Sequence, residues 1–339
     1  MSTSHDENRD RLSRRRFLSG GFAAGAGARL ASPAILRGLA GGAAGTGLLS
    51  GAVRAQGNPA AHRFLLGTTE IVVLTDGGLS LPASTVANNV PEEERSAFLA
   101  AAGHDTATRA SALNVTLIRK DDNLVLVDTG AGMNFFQDAG RLADSFETAG
   151  IDREAVTHVV LTHGHPDHVW GIVDDFDESE RFPNARYVMG AREWDFWNAE
   201  DFLSTQPEIL HSFALGAQRN LGAVADKTTR VNADHTVIPG VTMIDTPGHT
   251  PGHMSVLVED GGGQLLVTGD ALTHPAVSFE RPDWQPSTDQ LPEVAAATRR
   301  QLLDRAATDG LLLVGYHLPW PGVGRVETKG AAWRYVAEV

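Results

Sequence analysis

Four potential metal ligands fall within a span of six residues near the middle of the chain. In the pattern His-x-His-x-Asp-His they are His163, His165, Asp167 and His168. The apolar residues 159–161 lead into this pattern and predict a buried strand. Gly164 and Pro166 predict that a turn, rather than a helix, follows the strand. Imidazole nitrogens and carboxylate oxygens gathered in one such turn suit zinc, iron or manganese.

Three further candidate ligands each follow a predicted strand farther along the chain. They are His249 in Thr-Pro-Gly-His, Asp270 in Thr-Gly-Asp and His317 in Gly-Tyr-His. Together with the first four they make a ligand set large enough for two metal ions that share a carboxylate. Two cations about 3.5–4 Å apart can hold a hydroxide between them and polarise a substrate oxygen. A ligand set of this kind can therefore activate water without a protein nucleophile.

The histidine-rich pattern resembles the signature of the metallo-β-lactamase-fold hydrolases, and the similarity extends over nearly all of residues 63–339. Segments similar to the methyl parathion hydrolase and N-acyl homoserine lactonase branch are 64–77, 124–132, 182–185, 195–197, 277–280 and 317–324. The resemblance implies an α/β fold in the form of a four-layer αββα sandwich. It also implies hydrolysis of esters, lactones or organophosphate triesters by a hydroxide that bridges two metals.

The resemblance assigns a role to each candidate ligand. The first metal would be held by His163, His165 and His249. The second metal would be held by Asp167, His168 and His317. Asp270 would bridge the two ions, so that Asp167 and Asp270 act with the bridging hydroxide in catalysis. We expect two Zn²⁺ ions, and manganese, iron or cobalt would also suit these ligands.

Two more residues are expected to lie behind the ligands. Asp128 closes a predicted hairpin, and the resemblance implies that it braces the metal-binding turn, although a plain turn explains it equally well. His253 lies four residues after His249, and we expect it to orient Asp270 or a ligand imidazole rather than bind metal. No motif surrounds six other histidines, which we interpret as structural: His62, His104, His158, His211, His235 and His274.

Relatives of this kind line the substrate pocket with aromatic side chains, and several aromatics here match such positions. The candidates are Phe135, Trp197 and Phe279, with Phe136 and Trp284 as weaker matches. Trp194 and Trp197 share one face of a predicted helix, so core packing explains Trp197 better than a place in the pocket wall does. An aromatic pocket would favour aryl or acyl substrates.

Composition narrows the choice of function. The net charge is −14 over 339 residues, which argues against a nucleic-acid partner and leaves a small-molecule substrate. The chain contains no cysteine, so disulfides, thiolate metal sites and a cysteine nucleophile are excluded. Hydrophobic residues make up 42% of the chain, enough for a substantial core.

The first 55 residues read as an export signal. Residues 13–18, Ser-Arg-Arg-Arg-Phe-Leu, resemble the twin-arginine motif. The Gly/Ala-rich run that follows is too weakly apolar for a membrane anchor, and cleavage is expected after Ala55. We therefore predict a signal peptide over residues 1–55 that engages the twin-arginine translocase. A single catalytic domain over residues 56–339 would then be periplasmic or secreted, without a membrane anchor. The resemblance leaves a homodimer open.

Local patterns also predict the main elements of the domain. Apolar alternation predicts strands near 64–66, 70–76 and 237–245, with a turn at 76–78. Hairpins are predicted over 112–128 and 254–268, and an edge strand over 333–336. Helices are predicted from Pro91, over 135–149 and over 291–306. Residues 274–290 predict an irregular loop that lies over a site.

Two other functions remain open on the same fold. A redox di-iron protein is one, although those relatives usually carry a glutamate where this chain has His165. They also need an electron-donating partner domain. A metal-binding protein without catalysis is the other.

Overall fold

Two seven-stranded sheets organise residues 60–338, the part of the chain that this computed structural model describes. The first sheet contains β1 (Ala61–Leu66), β2 (Thr69–Pro82), β3 (Thr108–Lys120), β4 (Asn123–Val127), β5 (His158–Leu161), β6 (Arg186–Gly190) and β7 (Thr228–Val231). The second contains β8 (His235–Ile238), β9 (Val241–Asp245), β10 (Met254–Asp260), β11 (Gly263–Val267), β12 (Leu312–Val314), β13 (Val323–Lys329) and β14 (Ala332–Ala337). Each sheet is formed by one half of the domain. The predicted export signal lies outside the described residues.

Within residues 60–338, eight α-helices connect the strands. They are α1 (Glu92–Ala101), α2 (Leu142–Thr148), α3 (Pro166–Val169), α4 (Ala191–Trp197), α5 (Phe202–Thr205), α6 (His211–Ala223), α7 (Val277–Glu280) and α8 (Pro292–Asp309). Strands β4 to β7 run parallel, and β11 runs parallel to β12, while the other neighbours are antiparallel. No helix within residues 60–338 is long and apolar enough to span a membrane.

Alternation along the strands separates the molecule into layers. In β2, Ile71 and Val73 face a core shared with the second sheet, where they join residues such as Val256. The intervening Val72 and Leu74 face the opposite way, into a core covered by helices such as α2 and α6. The outer face of the second sheet packs against α8 in the same manner. Because successive side chains of a strand point to opposite faces, this pattern produces the predicted αββα sandwich.

The hairpin predictions are confirmed, but the turn predicted at residues 76–78 is wrong. Strand β2 continues through this segment with a register shift between Thr75 and Gly78. The buried Asp76 carboxylate accepts hydrogen bonds from the backbone N–H groups of Ala131 and Leu142, both at 2.7 Å. The bulge therefore lets the Asp76 side chain point into the helical layer that contains α2, while the strand continues.

Three other elements differ from the predictions. The helix expected over 135–149 forms only in α2, because Gly140 has a φ of +77° and packs against the backbone carbonyl of Gly132. The strand expected over 237–245 divides into β8 and β9. The metal-binding turn ends in the short helix α3, in which Pro166 occupies the first turn. Proline is favoured there because its fixed φ suits a helix start.

Candidate metal centre

Strand ends deliver all seven candidate ligands to one edge of the sandwich. Strand β5 leads into His163 and His165, and α3 then carries Asp167 and His168. In the second half, His249 follows β9, Asp270 lies in a 3₁₀ turn after β11, and His317 follows β12. The carboxyl ends of parallel strands meet at one sheet edge, which is why segments so distant in sequence converge here.

The seven side chains form two adjacent groups. The first group contains His163, His165, His249 and Asp270. The second group contains Asp167, His168 and His317. Within each group the ligand atoms lie within 4.8 Å of one another, and all seven residues are buried.

Asp270 joins the two groups. Its Oδ2 atom lies 3.2 Å from His249 Nε2 in the first group and 3.1 Å from His317 Nε2 in the second. Its Oδ1 atom lies 3.2 Å from His168 Nε2. The structure thus gives this carboxylate the position that a shared ligand of two cations requires.

The arrangement of these nitrogen and oxygen atoms is explained better by bound metal ions than by hydrogen bonds among the side chains alone. Nδ1 of His165 lies 3.1 Å from His163 Nε2 and 2.9 Å from His249 Nε2, so three imidazole nitrogens converge. A neutral imidazole has only one N–H donor, so these three nitrogens cannot all be paired by protons. The buried His168 Nε2 and Asp270 Oδ1 atoms also lack a good hydrogen-bond partner. Nitrogen and carboxylate ligands of this kind bind zinc and similar divalent ions.

The protonation of the histidines differs between the groups. Burial, with the neighbouring imidazoles, holds the pKa values of His163 and His165 well below the usual range, so both are neutral as metal ligands must be. Burial acts in the same direction on His317, but the Asp270 and Asp167 carboxylates outweigh it and raise the pKa of His317 to about 9. The second group therefore attracts positive charge strongly, which a divalent cation would satisfy.

Asp128 connects the end of β4 to the metal-binding turn. Its Oδ1 atom accepts the backbone N–H of Thr162, and its Oδ2 atom accepts the Thr162 hydroxyl, both at 2.8 Å. Oδ2 also lies 2.8 Å from His168 Nδ1. This contact fixes which ring nitrogen of His168 faces the second group, as the predicted bracing role requires.

We expect Asp128→Asn to weaken zinc binding or activity by roughly 10–100-fold. The amide N–H group of an asparagine would face a hydrogen-bond donor at the place where a carboxylate oxygen now accepts. The positive φ of 66° is tolerable for asparagine as it is for aspartate. Zinc affinity measured by competition with a chromogenic chelator provides the check. The matched control is Asp121→Asn, an exposed aspartate that also has a positive φ. Unchanged affinity in Asp128→Asn would contradict a bracing role.

Contacts to the Nδ1 atoms of His249 and His317 also fix the orientation of these ligand imidazoles. His249 Nδ1 lies 3.2 Å from Asp289 Oδ1, and Asp289 is in turn paired with Arg299 at 2.8 Å. His317 Nδ1 lies 3.0 Å from the Ala112 carbonyl. His253 accepts the backbone N–H of Asp270 through Nε2 at 3.0 Å, consistent with the expectation that it orients Asp270.

Glu193, which no sequence motif marks, is buried beside the first group. Its Oε1 atom accepts the Gly164 N–H at 3.0 Å and the Trp197 indole N–H at 2.6 Å. Its Oε2 atom accepts the Thr250 hydroxyl at 2.7 Å and the Gly252 N–H at 2.9 Å. One carboxylate therefore ties the loop of His163 and His165 to the loop of His249. Burial raises the pKa of Glu193, and these four donors oppose that change.

A cavity of about 560 Å³ opens over the ligands. Its apolar wall includes Phe135 and Phe136, together with Leu210 and Phe213. Residues 287–290 also line it, and they belong to the segment that was expected to lie over a site. The cavity is large enough for a small organic substrate.

The other predicted pocket aromatics occupy different places. The prediction that Phe279 lines the pocket is wrong. Its side chain is fully buried against Tyr335 of β14, in the core on the outer face of the second sheet. The prediction for Trp284 is also wrong, since its ring packs edge-to-face on Phe98 of α1. Trp197 is fully buried and does not line the cavity, although its ring supports His165 at a centroid distance of 5.5 Å.

Comparison with known proteins identifies a family for this chain. Residues 109–317 match the model of the metallo-beta-lactamase superfamily. A probable metallo-hydrolase of Mycobacterium tuberculosis is 30% identical over 178 residues, which cover 48% of this chain and 57% of the relative. An N-acyl homoserine lactonase of Azorhizobium caulinodans is 33% identical over 138 residues, which cover 40% and 48%. The chain thus spans about half the length of the curated relatives that it matches.

Solved structures match over a larger share of the chain. The structure of a dizinc quorum-quenching lactonase in complex with its product has a TM-score of 0.77 and 29% identity. The match covers 83% of this chain and 98% of that one. A hydrolase described as AbOPH, of the beta-lactamase superfamily, also has a TM-score of 0.77, but its 24% identity supports similarity of fold alone.

Proposed function

Because this chain belongs to the metallo-beta-lactamase superfamily, and because Asp270 contacts both groups of ligands, we propose that it is a dinuclear metal-dependent hydrolase. The substrates would be lactones, esters or organophosphate triesters. The position of Asp270 between the two groups is the observation that carries this proposal. Lactones are the first choice, since the relatives similar to this chain include N-acyl homoserine lactonases and a dizinc lactonase.

Each group of ligands would hold one cation, with Asp270 shared. When bound, two Zn²⁺ ions would supply a nucleophile made from water at neutral pH and Lewis-acid polarisation of the scissile group. The chain itself fixes the ligand imidazoles through Asp128, Asp289 and the Ala112 carbonyl. The walls of the cavity would hold the apolar part of the substrate next to the ligands and exclude water from it.

The test is a substrate panel on protein of defined metal content. Zinc-loaded protein should hydrolyse lactones, p-nitrophenyl esters or paraoxon-like triesters, lose that activity with a chelator and recover it with added zinc. Comparing lactones with triesters at equal metal content identifies the preferred class. If zinc-loaded, folded protein turns over none of them, the hydrolase proposal fails.

We also propose that the chain is exported through the twin-arginine translocase and is therefore periplasmic or secreted. The arginine-rich motif followed by an apolar run and a cleavage sequence supports this. Replacing Arg14 and Arg15 by lysine should retain the unprocessed chain in the cytoplasm, as subcellular fractionation and immunoblotting would show. Processing and export of that variant at the normal rate would contradict the proposal.

Phe135 should determine how well apolar substrates bind. Its ring lines the cavity and contacts Trp170 and Phe213 at centroid distances of 5.7 and 5.9 Å. We expect Phe135→Ala to raise KM several-fold for long-chain acyl lactones with little change for short ones, because it removes apolar contact area from the pocket. In the control Phe279→Ala, the free energy of unfolding should instead fall by about 3–5 kcal/mol, and KM should not change. A KM that does not depend on chain length in Phe135→Ala would exclude this role.

A further inference from the structure

The side chain of Arg109 lies in the wall of the substrate cavity and is unusual among the buried arginines. Arg299 pairs with Asp289 at 2.8 Å, and Arg181 pairs with Asp174 at 3.3 Å. Arg109 is only 6% exposed, yet within residues 60–338 no carboxylate lies at ion-pairing distance from it. Burying a charge is costly unless an opposite charge compensates it. The cavity is the place from which such a compensating group can come.

The protein holds this guanidinium in place through one nitrogen. Nη2 donates to the Thr273 carbonyl at 2.6 Å and lies 3.4 Å from the Ser111 hydroxyl. A guanidinium has five N–H donors in a planar fork that matches a carboxylate. Among the described residues, the Nε and Nη1 donors have no hydrogen-bond partner. Arg109 is therefore anchored, and donors remain available to a ligand.

The charge of Arg109 persists at neutral pH. Burial lowers the pKa of Arg109 to about 10, and the more distant carboxylates of Asp270, Asp167 and Asp289 oppose that decrease. Two of these carboxylates belong to the proposed metal ligands. Cations bound there would neutralise them and leave Arg109 in a cavity with excess positive charge. An anionic group on the substrate would remove that excess.

From this geometry we propose that Arg109 binds a carboxylate that the substrate carries in addition to its scissile ester or lactone bond. The inference rests on the proposed hydrolase function and specifies its substrate class. Arg109 acts on specificity, since it binds a part of the substrate that does not react. Leu79, Arg109 and Ser111 also line an adjacent cavity of about 610 Å³, which provides room for the distal part of such a substrate.

The experiment compares matched anionic and neutral substrates on zinc-loaded protein. The p-nitrophenyl monoesters of adipate and pimelate carry a distal carboxylate, and the corresponding primary amides are neutral and nearly the same size. The ratio of kcat/KM for acid to amide is measured within one protein, so a loss of folded protein cancels. Wild type should favour the acids, and Arg109→Met should lower the ratio roughly 10- to 100-fold, the value of a charge-assisted hydrogen bond.

Two further variants separate charge, geometry and stability. Arg109→Lys should give an intermediate ratio, because lysine keeps the charge but lacks the planar fork. Arg181→Met removes a buried arginine that does not line the cavity and should leave the ratio unchanged. Calorimetric binding of adipate and of its neutral diamide to the zinc-loaded protein gives a readout that does not depend on turnover. Arg109→Met should weaken the binding of adipate and leave the binding of the diamide unchanged.

The possible failures are distinguishable. If wild type and Arg109→Met hydrolyse the acids and amides with the same ratio, the assignment of Arg109 is wrong while the hydrolase proposal stands. If no ester, lactone or triester is hydrolysed, the hydrolase proposal fails, and calorimetry still decides whether Arg109 selects a carboxylate. Equal affinity of wild type and Arg109→Met for adipate would overturn the inference by itself.

Discussion

Replacing Asp270 by asparagine should lower kcat/KM by at least roughly 10³-fold. Metal ions contribute several kcal/mol of charge stabilisation to such reactions, and each 1.36 kcal/mol changes the rate about tenfold. Asparagine preserves the size of the side chain but removes the charge that contacts His168, His249 and His317 at 3.1–3.2 Å. Kinetics on the preferred lactone, together with zinc per chain from elemental analysis, provides the measurement.

The control for this prediction is Asp245→Asn. Asp245 ends strand β9, which leads to the His249 loop, but it is exposed and outside both ligand groups. It should retain the zinc content and rate of the wild type. Zinc should raise the melting temperature of this control more than that of Asp270→Asn, because a ligand that binds only the folded state stabilises it. Two tightly bound zinc ions and a rate within tenfold of wild type in Asp270→Asn would refute the shared-ligand assignment.

The seven candidate ligands could be identified from the sequence because their signal is local. Each one follows an apolar strand within a few residues, and the parallel connections bring those strand ends to the same edge. The position of Asp128 could be anticipated for the same reason, since it directly follows β4. Which of its two readings applies depends on contacts with Thr162 and His168, 34 and 40 residues away. The sequence alone does not contain those distances.

Features that depend on tertiary packing could not be predicted. Phe279 matched a pocket position, but the C-terminal strand β14 places Tyr335 over it and encloses it in a core. The spacing of residues 135–149 satisfies a helical pattern, yet Gly140 must approach the Gly132 carbonyl, which no periodicity reveals. Arg109 likewise has no motif. Its importance arises from missing partners and from a cavity formed by distant segments.

Glu193 was missed because three of its four hydrogen-bond partners lie in other loops. The Gly164 and Gly252 N–H groups are 29 and 59 residues away, and neither glycine suggests a carboxylate acceptor. Gly252 lies so close to the backbone of Glu193 that a Cβ atom there would be 2.2 Å from its nitrogen. The carboxylate and the two loops therefore form one tightly packed unit, with consequences for stability and metal binding alike.

Removing this carboxylate should destabilise the fold substantially. Glu193→Ala leaves four buried donors without an acceptor, and each such donor costs about 1–3 kcal/mol. Because the costs of neighbouring groups do not add fully, we expect a loss of at least about 3 kcal/mol. That corresponds to a melting temperature lower by roughly 6–12 °C. Calorimetry of the metal-free protein gives the value without a contribution from bound zinc.

The same variant should also weaken metal binding, because Glu193 joins the loops that carry His163, His165 and His249. Glu193→Gln keeps the volume but turns an amide N–H group toward donors, so it should lie between Glu193→Ala and wild type in both properties. Asp195→Ala is the matched control, an exposed carboxylate on the same helix α4. If Glu193→Ala melts at the temperature of this control and binds zinc equally well, Glu193 does not tie the two loops together. A lower melting temperature with unchanged zinc affinity would limit its role to folding.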